Sequence, residues 1–170
     1  MKSLLVFVAL LGLGACAKRE APPPAGKALS CEAGPDGAVS ASGAWVREQQ
    51  NPAGATAAYF TVCNGAMAPV VLVGLSTPLA GAATLHETTR NEAGVVSMAP
   101  MGEIALAPGE RILFAPGGRH AMLMDLKGPI AKGETATLTL DFAGGLKITV
   151  DAIAKSAVEA AQETGGHEGQ

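Results

Sequence analysis

Aromatic residues are scarce in this chain: one Trp, one Tyr and four Phe among 170 residues. A core must therefore be assembled from Val, Leu, Ile, Ala and Met. One domain of roughly 100 to 130 residues can bury enough of them to be stable. Basic charge is short as well, since twelve Lys and Arg face fifteen Asp and Glu for a formal net charge of −3. That balance leaves no basic face for a nucleic acid, so no nucleic-acid partner is expected. Long apolar runs are missing; Leu4 to Leu13 is too short to span a bilayer as a mature helix. No long amphipathic helix interrupts the apolar runs, which disfavours a βαβ fold. Catalytic signatures are absent too: there is no G-x-S-x-G elbow, no H-E-x-x-H and no Gly-rich phosphate loop. The carboxylates are scattered, with Asp125 and Asp141 reading as solvent-facing or strand-end residues. No enzyme is expected from such a sequence.

What is present is a series of short apolar runs punctuated by Gly, Pro and Asn, the mark of an all-β domain. Ala55 to Cys63 alternates, with Thr56, Ala58, Phe60 and Val62 on one face. Pro69 to Leu75 is a continuous buried-type run. Thr84 to Arg90 and Val95 to Met98 flank Asn91-Glu92-Ala93-Gly94, which predicts a hairpin. Arg111 to Ala115 and Arg119 to Leu126 flank Pro116-Gly117-Gly118, which predicts a second tight turn. Thr135 to Phe142 alternates and turns through Ala143-Gly144-Gly145 into Leu146 to Ile153. Seven or eight such strands predict a β-sandwich of Greek-key type.

The flanks differ in kind. Residues 1–15 have the form of a signal peptide, with Lys2 as the positive end, Leu4 to Leu13 as the apolar region, and Gly14 and Ala15 before Cys16. Leu13-Gly14-Ala15-Cys16 also matches the bacterial lipobox, whose cysteine takes up diacylglycerol. Cys16 is thus the expected lipidation site, anchoring a periplasmic protein to a membrane. By similarity to bacterial lipoproteins, Ala17 after the cysteine leans toward the outer membrane. Residues 16–37 carry a charged and then Pro-rich stretch, with Pro22-Pro23-Pro24, and are expected to form a linker. The folded domain is expected over 38–154, and 155–170 as a polar tail that includes His167. Cys31 and Cys63 remain after Cys16, and in an oxidising compartment they are expected to pair as a disulfide. The alternative is one buried and one exposed thiol.

Two of the three histidines fall inside the β domain, each with a methionine near it. His120 and Met122 are two apart on one strand and share a face. Met124 continues that face, and packing suits it better than ligation. If the first hairpin turns on Asn91-Glu92-Ala93, with Gly94 in the left-handed region, then His86 lies opposite Met98. In another register Met101 takes that place. Two imidazoles and two thioethers would form a His₂Met₂ set of His86, Met98, His120 and Met122. Thioether is a soft ligand that selects Cu(I), whereas zinc prefers Cys, His or carboxylate. Unlike thiolates, thioethers cannot be lost to disulfides outside the cytoplasm. Imidazole binds a metal only when neutral, so binding should weaken in acid. Against this stands the ordinary use of strand Met as core filler and of a lone His as a structural residue.

Further segments carry a resemblance: Gly43-Ala44-Trp45-Val46-Arg47, Ala57-Ala58-Tyr59-Phe60, Leu85-His86-Glu87, Pro116-Gly117-Gly118 and His120-Ala121-Met122-Leu123-Met124. Together with the His/Met spacing they resemble the periplasmic copper chaperones of the PCu(A)C family, over about Val39 to Ala154. The family pattern is a His, a Met after ten residues, and H-x-M after twenty-one more; here Met98 to His120 leaves twenty-one residues between and His86 to Met98 leaves eleven. The resemblance implies a cupredoxin-like sandwich, a Cu(I) cargo and a copper-accepting partner, with delivery toward the binuclear copper centre of cytochrome c oxidase. The other functions to weigh are copper sequestration for tolerance, and a structural envelope lipoprotein whose Met and His merely pack.

Overall fold

The computed structural model describes residues 29–31 and 37–159. The signal segment, Cys16, the Pro-rich run and His167 lie outside the described residues.

Eleven strands form the domain: β1 (Leu29–Ser30), β2 (Val39–Arg47), β3 (Thr56–Asn64), β4 (Val70–Ser76), β5 (Ala80–Arg90), β6 (Val96–Pro100), β7 (Ile104–Leu106), β8 (Glu110–Phe114), β9 (Arg119–Leu126), β10 (Thr135–Phe142) and β11 (Lys147–Lys155). Hydrogen bonding runs in the order β6-β5-β9-β3-β2-β11-β10-β4-β7, and β8 pairs with both β3 and β1. Only the β11–β2 pairing is parallel among those described. Strands distant in sequence lie side by side, and the sheet curls until β4 packs near β5. This is the all-β sandwich expected from the turn spacing, of the cupredoxin-like kind that the resemblance implies.

β3 is central because it is apolar on its inner face. Thr56, Ala58, Phe60 and Val62 are all buried, as the alternation predicts. Phe60 stacks on Phe114 of β8 with ring centroids 4.3 Å apart. Leu72, Leu123, Leu138 and Leu140 complete a core of aliphatic side chains. Burying one such side chain contributes about 1.5 to 3 kcal/mol, so many small contributions replace the missing aromatics.

The structure corrects two expectations and refines a third. Pro116-Gly117-Gly118 is the expected tight turn, with the Gly118 N–H on the Ala115 carbonyl, but it does not reverse the chain. Phe60 pairs with Phe114 on β8, and Ala58 with Ala121 on β9. β8 and β9 therefore run on in one direction along the same edge of β3, and residues between them loop out. The sequence signal of Pro and Gly was a real turn, but a turn that returns to its line. Leu29 pairs with Arg111 across β1 and β8, so the ordered domain takes in residues from the expected linker. Finally, β2 and β7 supply strands that the count of seven or eight omitted.

Cys31 and Cys63 are joined in a disulfide, with Cα atoms 6.0 Å apart. Arg111 of β8 lies between Leu29 on one side and Cys63 on the other. The bond therefore straddles β8 and ties the entering chain to β3. At the end of β3, the fully buried Asn64 amide donates to the carbonyls of Ala68 and Leu106 and fixes the following loop. Met67 in that loop is exposed and has no part in a site.

Candidate metal centre

β9 places His120 and Met122 on the outer face of the sheet, while Ala121 and Leu123 fill the core. β5 pairs with β9 so that His86 lies opposite His120, with ring centroids 5.8 Å apart. On the other side of β5, the hairpin to β6 puts Met98 opposite Thr88 and Pro100 opposite His86. The expected pairing of His86 with Met98 is thus wrong by two residues. The cause lies in the turn. Asn91 and Val95 hydrogen-bond as a pair, so the loop is Glu92-Ala93-Gly94, with Gly94 at φ +80° as its last member. A left-handed glycine belongs inside a three-residue bulged loop, not in the ladder beside it.

A slip of one residue would have turned Met98 to the wrong face, but a slip of two does not. Met98 stays on the outer face and moves along the strand, from the level of His86 and His120 to that of Thr88. It reaches over Thr88 on the intervening strand, and its Sδ comes to 3.1 Å from His120 Nε2. Side chains two strands apart span about 9.5 Å of backbone separation, which a Met and a His together cover when a small residue lies between.

The tautomer of His120 follows from its other contact. Nδ1 lies 3.0 Å from the carbonyl oxygen of Gly118. A carbonyl only accepts, so Nδ1 carries the proton and Nε2 presents a lone pair in the neutral ring. That lone pair faces the sulfur of Met98, also a lone-pair donor. Such a juxtaposition gains little by itself and suits a shared cation. His86 has its Nε2 2.9 Å from the Thr84 hydroxyl, while its Nδ1 is buried with no hydrogen-bond partner. A buried unpaired nitrogen asks for an explanation, and a bound metal beside it would supply one.

Met122, Met98 and His120 line a cleft of about 480 Å³, together with Arg47, Gln49 and Tyr59. Met98 is 52 % exposed and His120 8 %, so an incoming molecule meets the thioether first. His86 stands beside this cleft rather than in its lining. Met101 points elsewhere: its side chain packs against the core and its backbone N–H bonds the carbonyl of Leu85 at 2.7 Å. Met124 is half-buried opposite Ala82 and does not line the cleft.

Sequence reasoning missed the aromatic flank. Tyr59 stacks on Trp45 at 4.3 Å between centroids and leans on His120 at 6.4 Å. Burial pushes the Tyr59 hydroxyl above its usual pKa, with Arg47 opposing, so the ring stands in the cleft as a neutral phenol. It missed Thr88 and Gly118 as well. The segments around Trp45, Tyr59 and Gly118 stood out only as parts of a resemblance, without a role.

Among the described residues no group of three or more His, Cys, Asp and Glu comes together to hold a metal. A zinc site of the usual composition is therefore not on offer there. Two imidazoles with thioethers suit a soft monovalent ion.

A β-sandwich with a cluster of His and Met on its outer face is a metal-binding kind of domain. The chain belongs to the LpqE-like family, described as "Putative lipoprotein LpqE-like", which matches residues 39–154. It is 35% identical over 146 residues to "Putative lipoprotein Lxx21020" of Leifsonia xyli subsp. xyli (strain CTCB07), covering 85% of this chain and 83% of that one. Among solved structures it is similar to the copper-bound PCuAC domain from PmoF2, with a TM-score of 0.58 and 26% identity, covering 71% of this chain and 94% of that one. It is also similar to CuI-DR1885 from Deinococcus radiodurans, with a TM-score of 0.52 and 33% identity, covering 78% and 83%.

Proposed function

We propose that this protein is a Cu(I) carrier, an exported lipoprotein that binds one copper ion and hands it to a copper-accepting protein. The cargo is held by Met98, His120 and Met122, with His86 as the fourth donor. The observation that carries this reading is the 3.1 Å approach of His120 Nε2 to Met98 Sδ, with the Nδ1 proton held by Gly118. Two donors of one tetrahedral ion stand about 3.5 Å apart at ordinary metal–nitrogen and metal–sulfur distances, so a small opening of the pair admits the ion. The copper-bound relatives support the choice of metal. A half-exposed thioether at the mouth suits a carrier, because the acceptor's ligand can replace it first. The ion moves without turnover, so no catalytic role is assigned to any residue. Delivery toward the copper centre of cytochrome c oxidase is the acceptor we favour, on the strength of the resemblance in sequence.

Competition titration with a chromophoric Cu(I) chelator tests the site. Met98→Leu keeps volume and apolarity, and is expected to weaken binding about tenfold or more. Met101→Leu, in the core, should leave affinity within about twofold. A larger loss with Met101→Leu than with Met98→Leu would overturn the ligand set. Equal affinity in all variants would overturn the carrier itself.

The anchor is tested separately. The lipobox places lipid on Cys16, in the periplasm and with the outer membrane favoured. Cys16→Ser should move the protein from the membrane to the soluble fraction of the envelope. An unmodified mature N-terminus in mass spectra of the native protein would rule the anchor out.

A further inference from the structure

The Pro116-Gly117-Gly118 loop gives Gly117 to the wall of the cleft yet supplies no side-chain donor to it. Ala115 and Gly118 close a turn, with the Gly118 N–H bonding the Ala115 carbonyl at 3.1 Å. Pro116 occupies the first central position and Gly117 the second, at φ +79°. This is the pattern of a type II turn, in which the second central residue must be left-handed. Arg119 then returns the chain to the ladder by accepting the Ala115 N–H at 2.8 Å.

The loop ends on one carbonyl with two partners. The Gly118 oxygen accepts the backbone N–H of Thr88 at 3.1 Å and lies 3.0 Å from His120 Nδ1. Thr88 is the residue opposite Met98 on β6. One oxygen therefore holds both the His120 ring and the hairpin that carries the Met98 sulfur. We propose that Pro116-Gly117-Gly118 is a positioning clasp, in which the Gly118 carbonyl sets the tautomer of His120 and its separation from Met98. The copper consequence rests on the carrier reading above; the tautomer does not.

Physical reasoning makes Gly117 the handle. A Cβ built there meets no heavy atom within 4 Å, so the first atom of a side chain has room. Val and Asn are of similar size at this point of the cleft wall, so a difference between them reports the backbone. Valine resists the left-handed region strongly, whereas Asn visits it readily. Gly117→Val should tilt the turn and withdraw the carbonyl, while Gly117→Asn should keep it.

The test uses the full mature chain without metal, labelled with ¹⁵N at His, in three forms: unchanged, Gly117→Val and Gly117→Asn. In the unchanged protein, His120 should be the Nδ1–H tautomer. In Gly117→Val the two tautomers should mix, and in Gly117→Asn the first should return. Titration of the same samples with Cu(I) should show a 10- to 100-fold loss of affinity for Gly117→Val, the usual consequence of removing a hydrogen bond behind a metal ligand. Gly117→Asn should lie close to the unchanged protein. General destabilisation lowers the folded fraction but leaves the tautomer of the folded form alone, so the ¹⁵N signal separates the two. An Nε2–H tautomer in the unchanged protein overturns the clasp. So does a Gly117→Val protein that keeps both tautomer and affinity, or a failure of Asn to restore them. Should the unchanged protein bind no Cu(I), the carrier reading falls, and the tautomers alone decide the clasp.

Discussion

His120→Ala should lower Cu(I) affinity by more than about 100-fold, a greater loss than removing a hydrogen bond behind a ligand brings. The imidazole is the pivot of the site. It is buried, its proton is committed to the Gly118 carbonyl, and its free nitrogen faces Met98. No second imidazole lines the cleft: Tyr59 is a neutral phenol, Arg47 is a cation, and Glu48 and Gln49 offer hard oxygen donors that suit Cu(I) poorly. His86→Ala should cost less, because its ring stands beside the cleft and its Nε2 is engaged with Thr84. Removing both should leave only thioethers, and binding at micromolar copper should vanish. Competition titration of the two single variants and the double variant measures this directly. A His86→Ala loss exceeding that of His120→Ala would mean that the ion sits between β5 and its neighbours rather than over the cleft. Melting curves guard the comparison, since both rings lie on the outer face and their loss should spare the core.

The inner face of the fold was legible because it obeys a period of two. Thr56, Ala58, Phe60 and Val62 announced a strand with one dry side, and all four are buried. The His120-x-Met122 pair was legible for the same reason. The place of Met98 along its strand was not, because it depends on which residue of Asn91 to Gly94 adopts the left-handed region. That choice moves Met98 by two residues and changes its neighbour from His86 to Thr88. The face survived the error, since parity is what two-residue slips preserve. The Pro116-Gly117-Gly118 loop was legible as a turn, but not in its outcome. Turn residues report that the chain bends, and reversal depends on what the next strand pairs with. Here both β8 and β9 pair with β3. No local pattern contains that information, because it is set by the inner faces of three strands packing together.

Stability should depend heavily on the bond between Cys31 and Cys63. The two cysteines are separated by 32 residues, and closing a loop of that size restricts the unfolded chain considerably. The expected loss on replacing both with Ala is about 2 to 4 kcal/mol. For a domain of this size that corresponds to a fall in Tm of roughly 10 °C. The structure adds a reason for the upper half of the range. β1 is two residues long and, among the described residues, pairs with β8 alone, so the disulfide is a large share of the ties described for it. Freed of the bond, β1 should leave the edge of β8 and expose that strand's outer hydrogen-bonding groups. The metal site should respond differently. Cys63 sits at the far end of β3 from Ala57, which pairs with Met122. The folded variant should therefore bind Cu(I) within about twofold of the unchanged protein, since distant sites act nearly independently. Thermal melts with and without reductant, followed by Cu(I) titration below the transition, separate the two effects. An unchanged Tm after loss of the disulfide would show that β1 and its staple add nothing to the fold. A tenfold loss of affinity in the still-folded variant would mean that β3 transmits the state of the staple to the copper face.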